Sequence, residues 1–279
     1  MGYPIHAPLF AGFECAKLHW NQVDFLVQTN HLAGEGMREN YTRALEVGVQ
    51  GFRDGLPGRC DPAYRIQQAR KAIGPDMQIV WDIVHFDRDP NPHLHVREVI
   101  RHLRNGDRLI AVNEPSVGEA VSGRTVTEAV AVASSVMTTA LMYRPETRFW
   151  TCDPMHHLNE EQYHATDALV KHFGDAIEVV GINYYPHHTR TPLREIIWKT
   201  AERYGKPVAI TETGLHAGHA NNWPEIPTQR QWWEYVNQEI AESGADVRAC
   251  CWYPWLPTNW DGGEPWPNNP QFFWEGYRG

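Results

Sequence analysis

Positive charge is scarce in this chain of 279 residues. Lys and Arg number 25 against 34 Asp and Glu, a formal net charge of −9. No run of Lys or Arg forms a basic patch, so phosphate neutralisation has no obvious carrier, and nucleic acid is excluded as the expected partner. Long hydrophobic runs are also missing. No stretch reads as the roughly 18 apolar residues of a membrane span. Met1 to Phe10 lack the positive start and apolar core of a signal peptide, so none is expected. Cysteine is sparse, with five in all. Cys15, Cys60, Cys152, Cys250 and Cys251 follow no regular spacing and give no disulfide framework. A reducing cytoplasm is the expected compartment. His-Glu-x-x-His, Cys-x-x-Cys and the phosphate-cradling Gly-x-x-x-x-Gly-Lys do not occur. Low-complexity segments and linker-like composition shifts are absent as well.

What is present points to one α/β domain over residues 1–279. Its length suits a barrel of about 250 residues. Eight strand-like runs can be marked: Leu9–Cys15, Val49–Gly55, Gln78–His85, Arg108–Glu114, Arg148–Asp153, Glu178–Tyr185, Pro207–Glu212 and Val247–Trp252. They are apolar nearly throughout, as strands covered by helices on their outer face should be. Helix-like segments lie between them, clearest at Met37–Val47, Pro62–Ala72, Val96–Arg104, Thr125–Met142, Glu160–Phe173, Leu193–Tyr204 and Gln229–Glu242. Eight βα repeats predict a (β/α)8 barrel. Loops entering strands are tight and carry Gly or Pro. Several loops leaving strands are longer, at Ala16–Glu35, Ser116–Arg124 and Leu215–Thr228. Length on that side predicts a site at the C-terminal face. A Trp- and Pro-rich tail, Leu256–Gly279, stands where a last helix would be. It either packs over that gap or brings Trp260 or Trp266 to the mouth.

Two carboxylates end strands on the same face. Glu114 closes Leu109-Ile110-Ala111-Val112-Asn113-Glu114, where Pro115 stops the ladder. Glu212 closes Val208-Ala209-Ile210-Thr211-Glu212, and Thr213-Gly214 turns the chain away. Facing carboxyl groups about 5–5.5 Å apart are the equipment of a retaining glycosidase. They resist joint ionisation, so one is held protonated. Glu114 is assigned the acid/base role and Glu212 the nucleophile. Arg53 is placed to hold Glu212, or else to pair with Asp54 at the surface. Asn113 offers a bond to a sugar hydroxyl or shapes a turn. Asn183 and Tyr185 share one strand face, with Tyr184 on the other. His85 and Trp252 end their strands and are candidate sugar contacts. Fifteen histidines call for a metal test. His93-Leu94-His95 has a ligand-like spacing but lies in a loop entering a helix, so no metal and no cofactor are expected.

These motifs resemble clan A retaining glycoside hydrolases, and most closely the family 1 β-glycosidases. Asn113-Glu114-Pro115 and Thr211-Glu212-Thr213-Gly214 carry the likeness. Phe52-Arg53, His85-Phe86, Gly181-Ile182-Asn183-Tyr184-Tyr185 and Trp252 extend it. The resemblance implies that Tyr185 contacts the nucleophile and that Glu14 stands where the family carries a sugar-binding Gln. Thr213 departs from the family's usual Asn, and the chain is shorter than is typical. The implied activity is hydrolysis of a small glycoside or oligosaccharide by double displacement. A transglycosidase using the same glutamates and a non-catalytic carbohydrate-binding barrel are the alternatives. Oligomeric state is left open.

Overall fold

The computed structural model describes residues 24–29, 45, 51–56, 61–74, 77–84, 92–117, 125–155, 158, 160–186, 188–214, 223–226 and 229–252. Strands β1 (Asp24–Thr29), β2 (Gly51–Gly55), β3 (Gln78–Val84), β4 (Arg108–Val112) and β5 (Phe149–Trp150) pair in sequence order. They are followed by β6 (Asp153–Pro154), β7 (Ile177–Tyr184), β8 (Val208–Thr213) and β9 (Val247–Trp252). Every pairing is parallel. β1 bonds both β2 and β9, and β5 bonds β7, so the sheet curls into a barrel. β5 and β6 are two pieces of one barrel position, interrupted at Thr151 and Cys152.

Helices α1 (Pro62–Ile73), α2 (Pro92–His102), α3 (Val126–Tyr143), α4 (Glu160–Phe173), α5 (Leu193–Tyr204) and α6 (Gln229–Glu242) connect the strands. Their ends follow local chemistry. Asp61 caps α1 by accepting from the Ala63 and Tyr64 N–H groups. Thr125 and Glu128 form a reciprocal capping box on α3, and Gly205 ends α5 in the left-handed conformation. Such caps are worth about 1 kcal/mol each.

The core has two layers. Val80, Ile110, Trp150, Cys152, Val179, Ala209, Ala249 and Cys251 form a cluster drawn from alternate strand positions, which is the packed barrel interior. A larger cluster joins the outward strand face to the helices, including Phe52, Trp81, Leu109, Tyr184 and Trp232. The four tryptophans Trp81, Trp150, Trp232 and Trp233 are buried.

Three expectations are corrected. The ring position between β2 and β9 is held by Asp24–Thr29, within the expected loop Ala16–Glu35, and not by Leu9–Cys15. Asp24 and Gln28 interrupt its apolar character, and Gln28 lies in register with the polar Arg53. A search for continuous apolar runs favours Leu9–Cys15 instead. That segment and Glu14 lie outside the described residues. Second, α2 begins at Pro92, so His93 and His95 lie in its first turn rather than in a loop. His95 is buried, its Nε2 2.6 Å from the Leu56 carbonyl oxygen, which is a structural contact. Third, α3 is 18 residues of mean hydropathy 1.3, long and apolar enough by length and composition to cross a membrane. Its Ala129, Ala133, Val136, Met137 and Ala140 are buried at helical spacing. Val130, Ala131, Val132, Leu141 and Met142, off that stripe, raise the mean further and are broken up by polar residues.

Candidate active site

Residues from β3, the end of β4 and β8 converge on Arg53 of β2, which is 1% exposed. From β2, its guanidinium spreads across the C-terminal mouth of the barrel. Nη1 donates to Glu212 Oε1 at 2.5 Å and to the Thr211 carbonyl at 2.9 Å. Nη2 donates to Asn113 Oδ1 at 2.7 Å and stands 2.8 Å from Asp82 Oδ2. A planar fork of five donors makes such a junction possible where a lysine could not. The surface pairing with Asp54 is not seen. Arg65 bonds Asp54 Oδ1 at 2.8 Å instead.

Glu212 owes its direction to a bulge. Ile182 pairs with Ile210 and Asn183 with Glu212, so Thr211 is skipped in the ladder. Strict alternation would send Thr211 and Glu212 to opposite faces; an extra residue lets both turn inward. Thr211 Oγ1 donates to Asn183 Oδ1 at 2.8 Å. Tyr185 OH donates to Glu212 Oε2 at 2.6 Å, so each Glu212 oxygen has a donor. Gly181 makes room for this packing. A Cβ there would meet the Thr151 carbonyl oxygen at 2.1 Å and Thr211 Cγ2 at 2.5 Å. Tyr184 points the other way and stacks on Trp232 at 5.6 Å.

Glu114 leaves the ladder two residues after β4 ends. It adopts a left-handed backbone, φ 49°, which for a non-glycine residue costs about 1–3 kcal/mol. Its N–H donates to the Cys152 carbonyl at 2.8 Å. Two positions later, the Ser116 N–H donates to Asp153 Oδ1 at 2.9 Å. Asn183 Nδ2 donates to Glu114 Oε1 at 2.7 Å. Asn183 therefore touches Glu114 with one end and Thr211, the neighbour of Glu212, with the other. Cys152 Sγ lies 2.9 Å from Asn113 Oδ1 and 3.2 Å from Asn183 Oδ1, fixing both amides from below.

Burial pushes the Glu114 carboxyl up to about 8, and the negative Glu212 adds to the shift. The Asn183 amide pulls it the other way. Burial also raises Asp82 to about 7, against the pull of Arg53. Asp153, buried behind the Glu114 turn, rises to about 6, held back by donors from Ser116 and Thr166. The Cys152 thiol is pushed up by burial and stays protonated.

These three raised carboxyls make the fold sensitive to alkali. Each binds a proton in the folded state at pH values where the unfolded chain has lost it. The stability they contribute is complete near pH 4 and declines as pH rises through about 6, 7 and 8. The expected outcome is a fall in Tm between pH 5 and pH 8.5, worth on the order of a few kcal/mol. A flat Tm across that range contradicts it.

Arg53, Asn113, Glu114, Asn183, Tyr185 and Glu212 thus share one cluster. Trp252 ends β9 in register with Thr213, its side chain outside the described residues. His85 also lies outside them. Asp82, Cys152 and Asp153, to which the sequence assigns no role, also belong to the cluster, as does Thr211, quoted only as part of the Thr211-Glu212-Thr213-Gly214 motif. Asp82 had a signal: it is a lone charge within Ile79-Val80-Trp81-Asp82-Ile83-Val84. Among the described residues, no group of three or more His, Cys, Asp or Glu side chains is arranged to hold a metal ion. Between Asp82 and Glu212 stands Arg53.

No known protein family and no curated protein sequence matches this chain. Solved structures do match, and they show the fold class to be the (β/α)8 barrel seen in glycoside hydrolases. A family 10 xylanase from Bispora sp. MEY-1, solved with xylobiose, superposes with a TM-score of 0.62 at 13% identity, over 90% of each chain. An endo-1,4-β-D-mannanase from Thermotoga petrophila gives 0.56 at 14% identity, over 90% of this chain and 94% of that one. A family 128 exo-β-1,3-glucanase from Aureobasidium namibiae gives 0.59 at 9% identity, over 87% of each. At such identities the likeness speaks for the scaffold.

Proposed function

We propose that this chain is a retaining β-glycosidase of the clan A type, acting on a small glycoside or oligosaccharide without a metal or cofactor. The observation that carries the reading is the pairing of unlike carboxyl environments in one cluster. Glu114 is held protonated near neutral pH, while Glu212 is gripped by Arg53 and Tyr185. That division suits an acid and a nucleophile. In the first step Glu212 attacks the anomeric carbon as Glu114 gives its proton to the departing oxygen. In the second, ionised Glu114 draws a proton from water, which displaces Glu212. The neighbours that degrade xylan, mannan and β-1,3-glucan support carbohydrate as the substrate. The family 1 motifs support the β-glycosidase subclass. The three free, buried thiols Cys152, Cys250 and Cys251 suit the reducing cytoplasm we infer as its compartment.

A panel of aryl β-glycosides (glucoside, galactoside, mannoside, xyloside and the matching disaccharides) tests the reading through Glu114→Gln. With poor leaving groups kcat/KM falls by about 10^2–10^4-fold, since the lost proton donor is worth that much. With dinitrophenolate, which needs no proton, glycosylation is largely spared. In the native enzyme activity declines as pH rises through about 8, where Glu114 loses its proton. The variant loses this alkaline limb. Equal losses across all leaving groups would remove Glu114 from the acid role.

A further inference from the structure

Resting on the glycosidase reading, we propose that Asp82 is the standing counter-ion of Arg53 when Glu212 is esterified, and so stabilises the glycosyl-enzyme. Asp82 is fully buried on β3, Oδ2 2.8 Å from Arg53 Nη2. Glu212 takes the other arm of the same guanidinium. Two carboxylates therefore share one buried cation. Asp82 Oδ1 meets no hydrogen-bond donor among the described residues, so Arg53 is its one observed cationic partner.

The reaction changes that balance. When the Glu212 oxygen forms its bond to the anomeric carbon, the electrons of the breaking glycosidic bond go to the leaving oxygen. That oxygen takes the Glu114 proton, and Glu212 becomes a neutral ester. Of the two carboxylates that hold Arg53 among the described residues, Asp82 alone then keeps its charge. A buried guanidinium that loses compensating negative charge is costly, and Asp82 is already in place to supply it. On deglycosylation Glu212 regains its charge and its share of Arg53. Other charged or titratable groups facing this pair are Asp54 on β2, Cys152 after β5 and Cys251 on β9.

Asp82→Asn keeps the shape and removes the charge. Trapping with 2,4-dinitrophenyl 2-deoxy-2-fluoro-β-glycosides of glucose, galactose, mannose and xylose separates the two half-reactions. The variant is expected to form the trapped intermediate on the order of tenfold more slowly and to release it several-fold faster. Loss of packing alone would slow both steps. Unchanged rates, or rates that fall together, overturn the proposal. A second measurement uses the native protein with 13C-labelled aspartate, should the variant not fold. Near pH 7 Asp82 is partly protonated in the free enzyme. Trapping removes the neighbouring Glu212 charge, so the protonated fraction of Asp82 should release its proton to solvent, and infrared difference spectra should lose an aspartic acid carbonyl band and gain a carboxylate band. Absence of any aspartate change overturns the proposal. Native enzyme left unlabelled at Glu212 by the whole panel counts against the glycosidase reading itself, and this inference falls with it.

Discussion

Glu212→Ala is expected to lower turnover by at least about 10^4-fold, the scale seen when a covalent nucleophile is removed. The loss arises because no other group replaces the attacking oxygen. Arg53 and Tyr185 both donate to Glu212, and in the variant they face an empty position. That position is cationic and small, and should admit azide or formate. With an activated aryl glycoside, azide should restore part of the rate. It attacks from the side Glu212 occupied, in a single displacement, so the product is the α-glycosyl azide. Proton NMR of the product reads the anomeric configuration. A β-configured product, or activity unchanged in the variant, would falsify the nucleophile assignment.

Arg53→Met is expected to destabilise the fold and to lower kcat/KM at least about 10^3-fold. The side chain is buried and joins Glu212, Asp82, Asn113 and the Thr211 carbonyl. Removing one partner of a buried ion pair typically costs about 3–5 kcal/mol. Here the penalty depends on pH. Asp82, raised to about 7 with Arg53 present, rises further without it and takes up a proton. The variant is therefore penalised least near pH 5 and most near pH 8. Urea unfolding at both pH values measures this, and a loss independent of pH would show that packing outweighs charge at Arg53. Arg53→Lys should recover charge but not the fork, because one ammonium cannot span Asn113, Asp82 and Glu212 together.

Much of the scaffold was legible in the chain. Helices α4, α5 and α6 fall on the segments marked by apolar spacing and turn residues. Seven barrel positions coincide with apolar runs, because strands covered by helices are apolar on both faces. The first position was missed for the same reason. Asp24–Thr29 has only the short apolar run Phe25-Leu26-Val27 between polar residues and is a weaker signal than Leu9–Cys15. In the site, Asn-Glu-Pro and Thr-Glu-Thr-Gly stood out because each puts an acid beside a strand-breaking turn. Cys152 carried no motif, since an isolated thiol in an apolar run reads as core, and Asp82 stood out only as a lone charge in such a run, which does not name its partner.

Local chemistry written in the chain thus determined the βα alternation, the helix caps and the presence of carboxylates at strand ends. Those properties depend on near neighbours along the backbone. Which groups meet was decided only by ring closure and by the bulge at Thr211. Arg53 lies 159 positions from Glu212 and 60 from Asn113, yet bonds both. The pKa of Glu114 and the shared cation between Asp82 and Glu212 exist only once water has been excluded from that mouth. Burial and charge proximity are properties of the closed barrel, and no stretch of sequence carries them alone.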